Sequence, residues 1–272
     1  MATISDPYDG RGRLRLRYRP TATEREPRRG HAWLADRRPP QLHSSAYVLH
    51  LPPVATASTT NPPTFVVLDA CVLMSSILRG LLLRLARDDV FAPIWSARIG
   101  EEWIRNAARL WKVPPEEVTR LWDDMQREFP DADAGNVQPY ETGLRYSDPK
   151  DLHVIAAGLA KRARSALQRP PAVLVMTWNL KDFNRSEMRR LGLNVFDPDR
   201  LLSQWWAASP RALRLALQGT AADVATVGRE PEPLSATLHR ERLYRLRALV
   251  ERDGGVNDRD CSPRTRSHSD VR

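Results

Sequence analysis

Cysteine is scarce in this chain: Cys71 and Cys261 are the only two among 272 residues, far apart and in unlike surroundings. Such a pair offers neither a disulfide framework nor the clustered Cys/His spacing of a zinc site, and it suits a reducing cytosol. Long apolar runs are missing too. No stretch approaches the roughly 18 to 20 residues that cross a bilayer, and the opening Met1-Ala2-Thr3-Ile4-Ser5-Asp6-Pro7 lacks the apolar core of a signal peptide. The expectation is a soluble, cytoplasmic protein with no membrane partner. There is no internal repeat. What the chain holds in excess is positive charge: 42 Lys and Arg against 33 Asp and Glu give a formal net charge of +9 and a pI near 10.1. That balance favours a polyanionic partner, nucleic acid first, without separating RNA from DNA. A hydrophobic content of 42% is enough for one main core with appendages.

Composition divides the chain into four parts. Residues 1–62 carry many Arg and Pro and no sustained periodicity, and read as a disordered basic tail and linker. Within them, Gly10-Arg11-Gly12-Arg13-Leu14-Arg15-Leu16-Arg17-Tyr18-Arg19 could contact phosphates or simply be a solvated tail. Residues 63–207 alternate strand and helix patterns, the signature of an α/β fold with a central parallel sheet covered by helices. Strands are expected at Phe65-Val66-Val67-Leu68, Val90-Phe91-Ala92-Pro93, Ala172 to Thr177 and Asn194-Val195-Phe196. Between them, helical spacing runs from Val72 to Arg87, from Ala97 to Trp111 behind Ser96 as cap, and from Pro114-Pro115-Glu116-Glu117 to near Phe129-Pro130. A further helix, capped by Ser147 or Asp148 with Pro149 in its first turn, reaches about Leu167. Short helices are expected from Ser186 to Leu191 and from Pro198 to Trp206. Residues 208–252 carry only helical patterns, the last from Ser235 to Arg252, and read as a small C-terminal helical appendage; 253–272 read as a second disordered tail.

Acids stand at informative places in this pattern. Asp69 ends the first buried strand, where open α/β sheets place their sites. Asp182 follows the second long strand, Glu102 lies on the second helix, and Asp148 and Asp151 stand at the start of a later one. Parallel neighbouring strands would deliver Asp69 and Asp182 to the same sheet edge, with Glu102 and Asp151 reaching it from flanking helices. Carboxylates gathered there repel one another unless a cation neutralises them, and hard oxygen donors without a His/Cys set point to Mg²⁺ or Mn²⁺. In a basic protein such a site suits phosphodiester hydrolysis by metal-activated water, with no protein nucleophile. Each acid also has a structural reading: Asp69 and Asp148 as helix caps, Asp151 as a first-turn acid facing the helix dipole, Glu102 as a solvated helix residue, Asp182 as a turn residue.

Four segments carry a family resemblance in order: Leu68-Asp69-Ala70-Cys71-Val72-Leu73, Trp95-Ser96-Ala97-Arg98-Ile99-Gly100-Glu101-Glu102-Trp103, Asp148-Pro149-Lys150-Asp151-Leu152-His153-Val154-Ile155-Ala156-Ala157, and Thr177-Trp178-Asn179-Leu180-Lys181-Asp182-Phe183. Together, over about residues 64 to 206, they resemble the PIN-domain ribonucleases, in particular the branch containing VapC-type toxins. The resemblance implies a three-layer α/β/α sandwich, Mg²⁺-dependent endoribonuclease activity, an RNA substrate and a cognate antitoxin. It places the metal-binding and catalytic acids at Asp69, Glu102, Asp151 and Asp182, with Asp148, Thr177 and Asn179 in support. Two positions depart from the family pattern. Cys71 stands where many relatives have Asn, Thr or Ser, which puts that residue's hydrogen bond in question. Asn179 stands where many have Asp, which moves the fourth charge to Asp182.

Other residues admit two readings each. His153 could face the site or be structural, and the Thr177 hydroxyl could orient a water or phosphate or be satisfied at the strand end. Lys161, Arg162 and Arg164 could grip phosphate or form a solvated face. Trp205-Trp206 suits core packing or a homodimer contact better than base stacking. Leu238, Leu243, Leu246 and Leu249 could dock on the main domain, an antitoxin or RNA. Two other functional classes compete: a non-catalytic nucleic-acid-binding protein whose acids are caps, and a receiver-like signalling domain with Asp69 as phosphate acceptor. The second lacks the Lys it needs near Phe196-Asp197-Pro198.

Overall fold

An uninterrupted apolar run such as Phe65-Val66-Val67-Leu68 suits a strand covered on both faces. In the computed structural model, which describes residues 64–165, 172–226, 228 and 230–254, this run is strand β1 (Phe65–Leu68), and Val66, Val67 and Leu68 are wholly buried. β1 pairs in parallel with β2 (Ala92–Ile94) on one side and β3 (Val173–Met176) on the other. β3 in turn pairs in parallel with β4 (Leu193–Phe196), giving the order β2-β1-β3-β4. The register aligns Leu68 with Met176 and Met176 with Phe196. Asp69 and Thr177 therefore leave the sheet side by side, and the bond from Asp69 N–H to the Met176 carbonyl (3.2 Å) carries the ladder one step past β1.

Helices return each strand to the sheet. β1 leads into α1 (Ala70–Leu73) and α2 (Ser76–Arg87), and β2 into α3 (Ala97–Trp111), α4 (Pro115–Glu128) and α5 (Leu152–Arg164). After β3 comes α6 (Arg185–Arg190), and after β4 comes α7 (Pro198–Ala208). Parallel crossovers are right-handed, so the reversal of direction after β2 puts α2 on one face of the sheet and α5 with α6 on the other. The result is an α/β sandwich around a parallel sheet.

Two helices of the sheet domain depart from their expected course. The spacing from Val72 to Arg87 predicts one helix, yet the chain breaks at Met74-Ser75. Ser75 is extended there and its hydroxyl accepts the Leu78 N–H at 3.1 Å, starting α2 afresh. The helix expected to begin at Pro149 begins at Leu152, because Asp148 Oδ1 accepts the Lys150 N–H (2.9 Å) and folds 148–151 into a turn. Asp148 thus shapes a turn and does not cap α5. The expected helix end at Leu167 lies outside the described residues, as do the tail 1–62, the Arg-rich run within it, and Cys261 with the rest of the second tail beyond 254.

The C-terminal residues form α8 (Pro210–Gln218), α9 (Thr220–Thr226), α10 (Leu234–Arg240) and α11 (Tyr244–Arg252). One continuous helix from 235 to 252 is not formed: Arg242 adopts a left-handed φ of 62° between α10 and α11. These helices share the main core, into which Leu213, Leu217, Leu238, Leu243 and Leu246 are buried. The docking surface of the leucine face is therefore the sheet domain itself. Arg84 on α2 grips Asp223 with two bonds (3.0 and 2.6 Å) and the Ala216 carbonyl with a third (2.8 Å). From α7, Asp199 caps α11 across the fold, accepting from Arg245 N–H at 3.0 Å and Leu246 N–H at 3.0 Å. Trp205 stacks on Phe91 with ring centroids 5.0 Å apart, and Trp206 Nε1 donates to Asp253 (2.8 Å), so this pair packs the core.

An aromatic wedge fixes α3. Trp95, Trp103, Trp111 and Trp122 pack with centroids 5.6 to 6.2 Å apart, and the Arg79 guanidinium lies over Trp103 (5.1 Å) and Trp111 (5.5 Å). Burial lowers the Arg79 pKa to about 10. Gly100 makes the close approach of α3 to α4 possible, since a Cβ there would lie 2.5 Å from the Trp122 ring.

Candidate active site

Asp69 sits at the end of β1 with only 2% of its surface exposed. Thr177, one step past β3, donates its hydroxyl to Asp69 Oδ2 at 2.6 Å, and the Cys71 thiol donates to the same oxygen at 3.1 Å. Burial, reinforced by the nearby charge of Glu102, raises the Asp69 pKa against the lowering effect of those two bonds. Cys71 therefore keeps the hydrogen bond that its identity put in question. Burial, and then the charge of Asp69, push its own pKa well up, so the thiol stays protonated and can donate. Thr177 is wholly buried and also accepts the Asn179 N–H (2.9 Å). Its hydroxyl is committed to the protein and does not face a water or phosphate.

The other acids arrive from three directions. Asp151 stands at the N-terminus of α5, and its pKa rises to about 7, first because it is desolvated and then because Asp69, Asp182, Glu102 and Asp148 surround it with like charge. The other four acids singled out in the sequence are thus all felt at this one carboxyl. Asp182, at the end of the short turn of helix Leu180–Asp182, is tied to this cluster through its carbonyl, which accepts the Asp148 N–H at 2.8 Å. Glu102 comes from α3. Its Oε2 lies 3.3 Å from Nε2 of His153 on α5, whose ring is buried and turned toward the acids. Neither nitrogen of His153 makes an aligned hydrogen bond among the described residues. Asn179 contributes here through its backbone.

Sequence reasoning passed over Glu187. This buried residue on α6 accepts the N–H groups of Arg145 (2.9 Å) and Ser147 (3.0 Å) and the Ser147 hydroxyl (2.8 Å). Burial alone would raise its pKa, but the bonds from Arg145, Ser147 and Tyr146 outweigh it and hold the carboxyl below its ordinary value. Ser147 Oγ also accepts the Asn184 N–H at 3.0 Å. The network clamps the strand of chain leading into Asp148 and Asp151 against the segment that carries Asp182. Its only trace in the sequence is Asn184-Arg185-Ser186-Glu187, the spacing of a capping box. Asn184 does cap α6, accepting the Glu187 N–H at 2.9 Å, while the Glu187 side chain turns to the neighbouring loop.

The basic residues of α5 lie elsewhere. Lys161 bonds the Asp131 carbonyl, Arg162 the Leu191 carbonyl (2.6 Å) and Arg164 the Asp133 carbonyl (3.1 Å), all remote from the acids. They brace loops and do not grip phosphate at this site.

No family model, curated protein or solved structure matches this chain. Among the described residues no three His, Cys, Asp or Glu side chains close on a common point as an assembled metal cage. The carboxylates nevertheless sense one another's charge, most plainly at Asp151. An all-oxygen set with surplus negative charge has the donor chemistry for Mg²⁺ or Mn²⁺.

Proposed function

We propose that the chain is a Mg²⁺-dependent endoribonuclease of the PIN-like kind, acting as the toxin of a toxin–antitoxin pair. One contrast carries this reading. Asp197, the one aspartate besides Asp69 and Asp151 at an α-helix N-cap among the described residues, accepts a backbone N–H of its own helix, as Ser75, Ser96 and Asn184 do at theirs and Ser209 at α8 does not. Asp69 and Asp151 occupy the same kind of position at α1 and α5, and neither makes such a bond. Burying uncapped, mutually repelling carboxylates costs stability, which a capping role would not require. That weighs against a purely nucleic-acid-binding protein with structural acids.

Asp69, Glu102, Asp151 and Asp182 would hold the cation, and Mn²⁺ would serve as Mg²⁺ does. When bound, it supplies Lewis-acid polarisation of a phosphoryl oxygen and a more acidic water. The protein contributes position. Thr177 and Cys71 fix Asp69 by one oxygen, the Glu187 clamp sets Asp148, Asp151 and Asp182 relative to one another, and the tryptophan wedge sets Glu102. Neutralisation of the cluster would relieve the repulsion that raises Asp151. The net positive charge of the chain suits an RNA partner, and the antitoxin follows from the family resemblance.

The test uses full-length protein and its Asp69→Asn and Asp151→Asn variants on total RNA with Mg²⁺, Mn²⁺ or EDTA, alongside growth on induced expression. Wild type should produce new 5′ ends and arrest growth, and both variants should do neither while keeping a wild-type circular dichroism spectrum. Undiminished cleavage by both variants would refute the assignment. Salt-dependent RNA binding with no cleavage in either metal would favour the binding-protein reading.

A further inference from the structure

In the two segments that carry Asp148, Asp151 and Asp182 the exposed charges are of one sign. In segments 141–151 and 180–191 every exposed charged residue is basic: Arg145, Lys150, Lys181, Arg185, Arg189 and Arg190. Every acid in the same segments is partly or wholly buried. Carboxylates point in and cations stand out, the arrangement expected where a polyanion's backbone must lie across a negatively charged site.

An aromatic side chain sits among these cations. Tyr146 is 64% exposed, the most exposed large apolar side chain among the described residues, and it lies two residues before Asp148. The Arg190 guanidinium is 5.6 Å from its ring centroid. Exposure of a tyrosine is ordinary on a mobile loop, but this loop is anchored. The Tyr146 N–H lies 3.3 Å from Glu187 Oε2, its neighbours Arg145 and Ser147 bond the same buried carboxylate, and Arg190 is 4.0 Å from Glu187 Oε1. One buried acid thus fixes the backbone beneath the ring and sits beside the cation over it.

We propose that Tyr146 and Arg190 form a stacking platform for an unpaired base of single-stranded RNA, with the surrounding Arg and Lys side chains following its phosphates. An aromatic face held beside cations binds any base by stacking and cation–π attraction, while a duplex keeps its bases stacked on one another and cannot offer one. The platform deepens the ribonuclease reading and rests on it, since it selects unpaired stretches next to the acidic site.

Binding is measured by fluorescence anisotropy with the full-length Asp69→Asn protein, so that no RNA is cut. The probe is a fluorescein-labelled RNA of about 12 nucleotides, alone or annealed to its complement. Adding Tyr146→Ala should weaken single-strand binding by about 5-fold or more and duplex binding by less than about 2-fold. Tyr146→Phe should restore it. Arg190→Ala should weaken binding and reduce the salt slope by about 0.7. Equal affinity after Tyr146→Ala, or equal weakening toward strand and duplex, overturns the platform. The two readings also fail separately. With Asp69 restored, a protein that binds single strands through Tyr146 but cuts no RNA keeps the platform and loses the nuclease. One that cuts RNA with unchanged kcat and KM after Tyr146→Ala keeps the nuclease and loses the platform.

Discussion

Asp151→Asn should make the metal-free protein more stable at pH 8, even though it removes a proposed ligand. In the folded chain Asp151 titrates at about 7 against an ordinary 3.8, because it is desolvated and then because four other carboxylates surround it. Between those two values the folded state keeps a proton that the unfolded state has already lost. Stability therefore falls as pH rises through this window, and the whole penalty applies above about pH 7. The gap from 3.8 to about 7 is about three factors of ten, at about 1.4 kcal/mol each, an upper bound of about 4 kcal/mol. Asp151 is only partly buried, and solvent screening reduces the expectation to about 1 to 2 kcal/mol. For a protein of this size that corresponds to a rise in Tm of about 2 to 8 °C. The assay is thermal unfolding followed by circular dichroism in EDTA from pH 5 to pH 8, with wild type and variant side by side. At pH 5 less than half of the penalty has accrued, so the gain should shrink on acidification. Adding Mg²⁺ at pH 8 should then stabilise the wild type more than the variant. A variant no more stable than wild type at pH 8, or equally stabilised at pH 5 and pH 8, would refute the claim that Asp151 carries uncompensated charge.

Glu187→Gln should cost about 1 to 3 kcal/mol in denaturant unfolding at pH 7, because it weakens several bonds to a buried carboxylate. Since the Glu187 pKa is depressed, its contribution is present above the ordinary glutamate value and is lost as pH falls through the folded one; the difference between variant and wild type should narrow in acid. Asp199→Ala strips the cap from α11 and should cost about 1 to 2 kcal/mol, with early hydrogen exchange at Arg245 and Leu246 as its mark. Gly100→Ala drives a methyl into the Trp122 ring and should destabilise by about 1 to 3 kcal/mol, with a change in tryptophan fluorescence. An unshifted unfolding midpoint in any of these would contradict the contact it tests.

The elements that could be read in advance are those with a local cause. Four apolar residues in a row made β1, Ser96 capped α3 as its hydroxyl allows (Ile99 N–H at 3.4 Å), and Pro115 opened α4. The misread breaks have distant causes. Ser75 interrupts a helical apolar pattern, and its hydroxyl also reaches Glu241 of the C-terminal helices at 2.5 Å, a partner 166 residues away. Arg242 takes its left-handed turn where α10 gives way to α11, the helix whose N-terminus Asp199 holds from α7. Glu187 looks like half of a capping box because spacing records only the near partner, and its actual partners lie about 40 residues upstream.

From the sequence alone came the parallel α/β architecture, the positions of Asp69, Glu102, Asp148, Asp151 and Asp182, and the basic charge of the whole. Strand alternation, helical period and strand-end placement are properties of neighbouring residues, so these were readable in order along the chain. Tertiary structure alone decided that Asp69 is held by Thr177, 108 residues away, and by the thiol of Cys71, and that neither Asp69 nor Asp151 caps its helix. It alone showed that Asp151 feels all the other acids at once and carries the proton affinity that follows. Hydrogen bonding and charge depend on distances through space, and a linear chain leaves those undetermined until the sheet has brought its ends of strands together.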